Sequence, residues 1–254
     1  MALKGLDIFK MSPKTNCKEC GVPTCMAFCM KVAQGALPIE KCPHMGADVI
    51  AKLSEATAPP MKTIQVGDFK MGGETVLARH EKTFVSKNLY AVSVSDSMEN
   101  ADQVLADLQK VDYERIGERM FVEMVFVTYA GNKDAYIELA KKAAAVPGRA
   151  IILDVNCPTC AKEALEATKG AAVILNGATA ENVEEMNALA TEYKAVLGVK
   201  AENLDALYDL TAKIEGMGNK NLVLNASTES IKAAFADAVQ IRRAAIKNTD
   251  RTFG

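Results

Sequence analysis

Residues 150–176 have the sequence AIILDVNCPTCAKEALEATKGAAVILN, and the architecture of the chain can be worked out from this stretch. Two apolar runs, residues 150–155 and 171–176, flank an amphipathic segment at 158–168. Strands that are apolar along their whole length and are separated by helices indicate a parallel sheet covered by helices. The stretch is therefore predicted to form a strand, a helix and a second, parallel strand.

The same pattern repeats through the rest of the chain. Apolar runs occupy residues 90–94, 121–129, 150–155, 171–176, 195–199 and 221–225. Amphipathic helices are predicted at residues 97–111, 132–145, 158–168, 180–192, 202–216 and 227–245. This alternation predicts a (β/α) barrel or a doubly wound sheet. No Gly-x-Gly-x-x-Gly sequence follows the first strand, and polar residues close most strands, so a barrel rim is favoured.

The predicted fold class is α/β, with a TIM-type (β/α) barrel that is incomplete. About six β/α units are present, whereas a closed barrel of this type needs eight strands. We therefore expect the sequence to be the N-terminal portion of a longer polypeptide.

Three regions are predicted along the chain. Residues 1–57 form a small cysteine-rich domain, residues 58–88 a linker and a β-hairpin, and residues 89–254 the barrel portion. A helix at 46–57 is predicted to end at the prolines that follow Ala58, because proline disfavours helix in the residue before it. The hairpin is predicted to join residues 62–68 to 74–79 through a pair of glycines at 72–73.

Composition excludes several classes of function. The net charge of −2 does not favour nucleic acid or an anionic membrane surface as a partner. No apolar run approaches the roughly 20 residues that span a bilayer. The first ten residues, MALKGLDIFK, lack the apolar segment of a signal peptide. We expect a cytoplasmic protein, in which clustered cysteines are more often metal ligands or redox groups than disulfides.

Five of the seven cysteines lie within residues 15–43, TNCKECGVPTCMAFCMKVAQGALPIEKCP. The spacing Cys17-x2-Cys20-x4-Cys25-x16-Cys42 supplies four thiolates, which suit tetrahedral zinc or a [4Fe–4S] cluster. The x4 and x16 gaps favour the cluster, and a structural zinc knuckle remains the alternative. Cys29 shares a helix face with Cys25 and is predicted to be a buried apolar residue.

Residues 1–57 resemble the N-terminal iron–sulfur domain of the large (gamma) subunit of the corrinoid/iron–sulfur protein family. The matching segments are GLDIFK (5–10), NCKECGVPTCMAF (16–28) and Cys42-Pro43, and a second match is MGGETVLARHEKTF (71–84). The resemblance implies a [4Fe–4S] cluster held by Cys17, Cys20, Cys25 and Cys42, and a TIM barrel. It also implies a corrinoid (cobalamin), but the chain contains no Asp-x-His-x-x-Gly motif that would bind cobalt.

The resemblance further implies a methyl carrier of the acetyl-CoA (Wood–Ljungdahl) pathway of anaerobes, rather than a stand-alone catalyst. In that family the cluster passes an electron that returns Co(II) corrinoid to Co(I). Co(I) accepts a methyl group from methyltetrahydrofolate or a related pterin and passes it to acetyl-CoA synthase. The implied partners are the small subunit in a heterodimer, methyltetrahydrofolate methyltransferase, acetyl-CoA synthase and a low-potential electron donor. The alternatives are a pterin-binding barrel methyltransferase and a zinc-bearing interaction module.

Several residues outside the cluster carry further hypotheses. Cys157 and Cys160 lie where a strand passes into a helix and are predicted to be buried or rim thiols, with a redox pair as the alternative. His80 is predicted at the surface, and His44 could donate a hydrogen bond toward the cluster. Four polar residues at strand ends are predicted to cap helices or to bind a partner surface or, alternatively, to bind a pterin: Asp154, Asn156, Asn176 and Asn225.

Overall fold

The structure is a computed structural model that describes residues 4–33, 37–50, 53, 60–78, 80–81, 83–226, 230–248 and 250–254. The chain forms two compact units, residues 1–62 and residues 63–254. Of the predicted linker, residues 58 and 59 lie outside the described residues. The three domain boundaries taken from the sequence stay predictions.

Two short helices pack against each other in the N-terminal unit: α1, Gly5–Lys10, and α2, Cys25–Ala33. They approach closely because α1 begins at Gly5, where a Cβ would overlap Met30. A 3-10 turn follows at Ile39–Lys41, and residues 47–50 and 53 are helical. The remainder of the helix predicted at 46–57 falls largely outside the described residues. The apolar core of this unit is small and includes Phe28, so bound metal would add much of its stability.

The second unit alternates strands and helices. Its strands are β1 Thr63–Val66, β2 Phe69–Gly72, β3 Ala91–Ser95, β4 Asp112–Arg115, β5 Glu118–Phe121, β6 Met124–Thr128, β7 Ala150–Asp154, β8 Val173–Ala178, β9 Val196–Ala201 and β10 Leu222–Ala226. Its helices are α3 Ala101–Leu108, α4 Lys133–Ala144, α5 Pro158–Ala167, α6 Val183–Tyr193, α7 Leu204–Gly216 and α8 Ile231–Lys247. Within the described parts of the chain, no helix has both the length and the apolar character needed to cross a membrane.

Six of these strands form one parallel sheet in the order β3-β6-β7-β8-β9-β10. Each strand therefore pairs with the next strand of the sheet along the sequence, as in a (β/α) barrel. The sheet does not close, because β3 and β10 remain at its two edges. The predicted α/β fold, with an N-terminal cysteine-rich region and an incomplete TIM-type barrel, is confirmed.

The two faces of the sheet pack into two different apolar clusters, because successive side chains of a strand point to opposite faces. Val125, Ile151, Leu153, Leu175 and Leu197 are fully buried in one large cluster with the apolar sides of the helices. The other face carries a second cluster that involves residues near the amino ends of the strands: Met124, Ala150, Ile174 and Val196. The strands β6 to β9 are thus apolar on both faces, which explains their continuous apolar runs in the sequence.

The β1–β2 hairpin packs onto this second cluster through Val66. Gly67, with φ +56°, is the first of the two turn residues, which is the position that a type II′ turn reserves for glycine. A Cβ on Gly67 would lie 2.8 Å from the Cβ of Ala172, so the turn also sits tightly against the sheet. A hairpin is present in this region, but it pairs residues 63–66 with 69–72, so the predicted second strand at 74–79 and the predicted turn at 72–73 are wrong. Residues 74–78 form no strand, and residue 79 is not described.

A second hairpin, β4–β5, is not predicted from the sequence. Ile116 and Gly117 both have positive φ, +54° and +75°, which gives a type I′ turn. The hairpin is tied to the sheet by Arg149, whose guanidinium lies 4.0 Å from the ring centroid of Phe121 and donates to the Val122 carbonyl at 3.2 Å.

Arg242, on α8, contacts the segment between β2 and β3. Its guanidinium donates to the carbonyl of Leu77 at 3.1 Å and to that of Val76 at 2.6 Å. It also lies 3.6 Å from the buried carboxylate of Glu74 and 4.5 Å from the ring centroid of Phe84. Glu74, Val76, Leu77 and Phe84, which lie in one of the segments that carried the family resemblance, therefore surround the guanidinium of a single arginine.

Candidate functional site

The four predicted cluster ligands come from three parts of the N-terminal unit. Cys17 and Cys20 lie on the loop between α1 and α2, Cys25 is the first residue of α2, and Cys42 directly follows the 3-10 turn. Cys20, Cys25 and Cys42 are buried, with 7%, 8% and 6% of their surface exposed, whereas Cys17 is exposed. Three thiols thus lie inside the unit and the fourth lies at its surface.

Cys29 shows how the buried thiols are arranged. Burial raises the pKa of the Cys29 thiol, a hydrogen bond with the Ser12 side chain opposes this rise, and Cys25, Cys42 and Cys20 each raise the pKa further. These three thiols therefore lie within electrostatic range of one point in the core. Cys29 is fully buried in the apolar core of this unit, as predicted for an apolar residue.

The loop that carries Cys17 has an unusual backbone. Lys14, Asn16 and Lys18 have φ values of +57°, +50° and +66°, and the residues between them do not have positive φ. Positive φ at three non-glycine residues is uncommon and gives this loop a specific backbone path.

Asn16 joins this loop to the start of α2. Its backbone N–H donates to the Sγ of Cys25 at 3.3 Å, and its side-chain Oδ1 accepts from the backbone N–H of Cys25 at 2.8 Å. An amide that donates to a sulfur stabilises the thiolate form of that sulfur. Three buried thiols, one of which accepts from a backbone N–H, together fit a thiolate-bound metal cluster.

Glu19 and His44 lie at the exposed end of the same loop. His44 Nε2 and Glu19 Oε2 are 2.9 Å apart, and both side chains have potential ligand atoms within 4.8 Å of the Cys17 sulfur. The three residues therefore form a group that could hold a metal ion. The suggestion that His44 donates toward the cluster stays a prediction. His80, in the second unit, is exposed, as predicted.

The second unit has a cleft of about 670 Å³ at the carboxyl ends of β6 to β9. This volume is in the range of small-molecule sites. Its polar lining residues include Tyr129, Asp154, Asn156, Lys200 and Glu202. Sequence reasoning identified Asp154 and Asn156 but missed Tyr129 and Glu202, although Tyr129 ends one of the apolar runs that predicted the strands.

The other two predicted rim residues have different roles. Asn176 is buried and donates through Nδ2 to Asp154 Oδ1 at 2.6 Å, so it orients a lining carboxylate across the β7–β8 pair. Asn225 is half-buried within β10 and does not line this cleft. Beside Asn176, Gly177 has φ +113°, and a Cβ there would lie 2.5 Å from the Val155 carbonyl oxygen. The cleft floor therefore depends on a glycine at this position.

Comparison with known proteins identifies the family. Residues 65–254 match the CO dehydrogenase/acetyl-CoA synthase delta subunit family. The chain belongs to this family. Residues 13–44 match a second family, described as putative Fe–S cluster, and this segment contains the five clustered cysteines.

Three curated proteins are similar to this family member over nearly its whole chain. The corrinoid/iron–sulfur protein large subunit of Moorella thermoacetica is 34% identical over 100% of the chain and 58% of its own length. Acetyl-CoA decarbonylase/synthase complex subunit gamma 1 of Methanosarcina thermophila is 33% identical over 95% of the chain and 55% of its own length. Subunit gamma of the same complex from Methanocaldococcus jannaschii is 30% identical over 99% of the chain and 54% of its own length. The predicted resemblance to the large (gamma) subunit is confirmed, and the chain spans a little over half the length of these relatives.

Among solved structures, dihydropteroate synthase from Thermus thermophilus is similar with a TM-score of 0.49 and 16% identity, over 72% of this chain and 71% of that one. A similarity of this size carries no information about the function of the present chain.

Proposed function

We propose that Cys17, Cys20, Cys25 and Cys42 hold a [4Fe–4S] cluster. The observation that carries the proposal is the arrangement of three buried thiols around the start of α2, one of which accepts a hydrogen bond from a backbone N–H. The match of residues 13–44 to an iron–sulfur family supports it. A structural zinc site is less well supported, because the matched family is one of iron–sulfur proteins.

The residues around the thiols determine how such a site would behave. Val22, Phe28 and Ile39 are buried beside the cysteines and exclude water from them. Cys17 is exposed and leaves one edge of the site open to a partner. When bound, the cluster would supply one-electron transfer, at a potential that burial among apolar side chains and hydrogen bonds to sulfur would tune. We assign the Cys17 edge as the place where a low-potential donor docks.

We further propose that the whole protein is a methyl-carrier subunit of the acetyl-CoA pathway. The names of its relatives, corrinoid/iron–sulfur protein large subunit and acetyl-CoA decarbonylase/synthase subunit gamma, support this role. The transferred electron would restore Co(I) in an inactive Co(II) corrinoid. Co(I) would then accept a methyl group from methyltetrahydrofolate or a related pterin. Acetyl-CoA synthase would receive that methyl group, and the small subunit and the methyltransferase would be further partners. No residue of these 254 is assigned to the corrinoid.

Anaerobic purification followed by metal analysis and a reduction experiment tests the proposal. We expect about four iron and four sulfide per chain, and broad visible absorbance that dithionite bleaches. The reduced protein, freed of dithionite and mixed with a Co(II) corrinoid in excess of the cluster, is expected to generate Co(I) absorbance. Zinc in place of iron would contradict the cluster, and an iron-loaded protein that cannot produce Co(I) would contradict the electron-transfer role alone.

The cleft at the carboxyl ends of β6 to β9 supports a second candidate, a barrel that binds the methylpterin directly. Asp154, fixed by Asn176, offers the carboxylate that a pterin ring's N–H groups would need. This candidate predicts saturable binding of methyltetrahydrofolate in calorimetry. It also predicts that Asp154→Ala weakens binding about 10-fold or more, the cost of one charged hydrogen bond. Titration without measurable heat or spectral change at millimolar ligand would remove this candidate and leave the cluster proposal untouched.

A further inference from the structure

Two cysteines of the second unit, which does not contain the four predicted cluster ligands, lie together at the start of α5. Cys157 is the N-cap residue of α5, and Cys160 lies in the first turn, three residues further on. In α-helical geometry, Cα atoms three residues apart are separated by about 5 Å. A disulfide needs a Cα separation of about 4.4–6.8 Å. This stretch of backbone can therefore join the two sulfurs without a large rearrangement.

The two thiols differ in exposure. Cys157 is half-buried, whereas Cys160 is 5% exposed and packs in the main core. A reagent from solvent therefore reaches Cys157 first. This is the arrangement of an attacking thiol in front of a resolving thiol.

The two thiols also differ in acidity. The pKa of Cys157 lies below its usual value, chiefly because the backbone N–H and then the side chain of Cys160 favour its thiolate, with smaller contributions from Thr159. The pKa of Cys160 is raised, first by burial and then by Cys157, while Tyr129 and Lys133 act in the opposite direction. Cys157 is thus the better nucleophile and Cys160 stays protonated until a mixed disulfide forms beside it.

Polar groups behind the pair provide a second observation. Tyr136 is fully buried, and its hydroxyl has no hydrogen-bond partner among the residues that the structure describes. Burial raises the pKa of this hydroxyl, and the nearby Asp154 and Cys160 raise it further. Tyr129 contacts Cys160 and also lines the 670 Å³ cleft. Cys160 therefore lies next to a residue that lines the cleft, and next to a buried hydroxyl.

Metal binding is a poorer explanation for this pair. In the described ranges of the chain, Cys17, Glu19 and His44 form the group of three potential ligands that lie close enough to share an ion, and neither Cys157 nor Cys160 belongs to such a group. Two thiols without a third ligand do not complete a zinc site.

We propose that Cys157 and Cys160 form a redox-active dithiol that exchanges with low-molecular-weight disulfides from solvent. The Cys157 thiolate attacks one sulfur of the external disulfide, whose S–S bond breaks, and one thiolate leaves. Cys160 then loses its proton to solvent and attacks the Cys157 sulfur, and the second external thiolate leaves. The protein dithiol is oxidised to one disulfide, and the external disulfide is reduced to two thiols.

Anaerobic equilibration of the full chain with oxidised and reduced glutathione tests the proposal. Free thiols are then alkylated, and the protein is cleaved after Arg149 and Lys162, which gives a peptide whose cysteines are Cys157 and Cys160 alone. As the proportion of oxidised glutathione rises, we expect this peptide to lose two hydrogens and to escape alkylation. Reduced glutathione should reverse the change. A peptide that stays fully alkylated at every ratio overturns the proposal.

Matched variants separate the two roles. In Cys160→Ser, a glutathione adduct should accumulate on Cys157, because the resolving thiol is missing. In Cys157→Ser, adduct formation on Cys160 should be at least about 10-fold slower than on Cys157, because the remaining thiol is buried and protonated. Equal adduct formation on both single variants would overturn the assigned order of attack. Since the readout is confined to one peptide, oxidation at the iron–sulfur cysteines does not affect it.

Discussion

Cys25→Ala is expected to leave the anaerobically purified chain without a bound cluster, whereas Cys29→Ala is expected to retain it. Both residues lie in α2, four positions apart, and both are buried. Cys25 receives the Asn16 N–H on its sulfur, whereas burial and three neighbouring thiols hold the pKa of Cys29 above its usual value. A cluster that loses one of four thiolates has an open iron site and is easily lost, while the loss of a protonated core thiol removes only packing.

The two variants are matched because each replaces a buried sulfur of the same helix with the same methyl group. Iron and acid-labile sulfide per chain, together with visible absorbance, are the measurements. We expect Cys25→Ala to fall to a small fraction of the wild-type iron content and Cys29→Ala to stay near it. Cys29→Ala still loses a little stability, about 1 kcal/mol, from the small cavity that it leaves. Iron loss in Cys29→Ala with iron retention in Cys25→Ala would exchange the roles of the two residues.

Arg242→Met is expected to destabilise the second unit by about 3 kcal/mol, the cost of removing one partner from a largely buried ion pair. The substitution leaves Glu74, which is 5% exposed, with an uncompensated carboxylate. It also removes the donors to the carbonyls of Val76 and Leu77. Methionine keeps most of the apolar contact with Phe84, so the lost stability reports mainly on the charge and the hydrogen bonds.

Arg243→Met is the control, because Arg243 is the exposed neighbour in the same helix and the change in net charge is identical. We expect it to change stability by less than about 0.5 kcal/mol. All six tyrosines lie between Tyr90 and Tyr208, and the chain has no tryptophan, so tyrosine fluorescence during urea unfolding follows the second unit alone. Equal midpoints for the two variants would mean that the Arg242 contacts contribute little to stability.

The parallel sheet could be predicted because β6 to β9 are apolar on both faces, and this leaves continuous runs in the sequence. The β4–β5 hairpin could not be predicted in the same way. Its residues, such as Glu114 and Arg119, are exposed on both faces, so no alternation marks the strands. For the first hairpin, the sequence contains two possible turns with glycine, one at Gly67 and one at residues 72–73. The turn forms at Gly67, which packs closely against Ala172 in a distant part of the chain.

The candidate sites show the same limit. Spacing and family resemblance identify four cysteines, but the sequence gives no sign that Asn16 donates to the Cys25 sulfur, because this contact requires the left-handed backbone at Asn16. Asp154 and Asn176 are recognisable as strand-end residues. That they bond to each other follows from the β7–β8 register, which places them opposite one another. The Arg242 contact joins residues 165 positions apart, beyond the reach of any local pattern.

The position of the β1–β2 hairpin constrains how the second unit can change in length. The hairpin covers the amino ends of the strands, including Met124, Ala150 and Val196, so the connections from helix to strand end beneath or beside it. Extra residues in those connections would have to displace packed side chains. Connections from strand to helix lie at the opposite end, where they line the cleft. Insertions before the strands should therefore disturb the packing under the hairpin, whereas insertions after the strands should change the cleft.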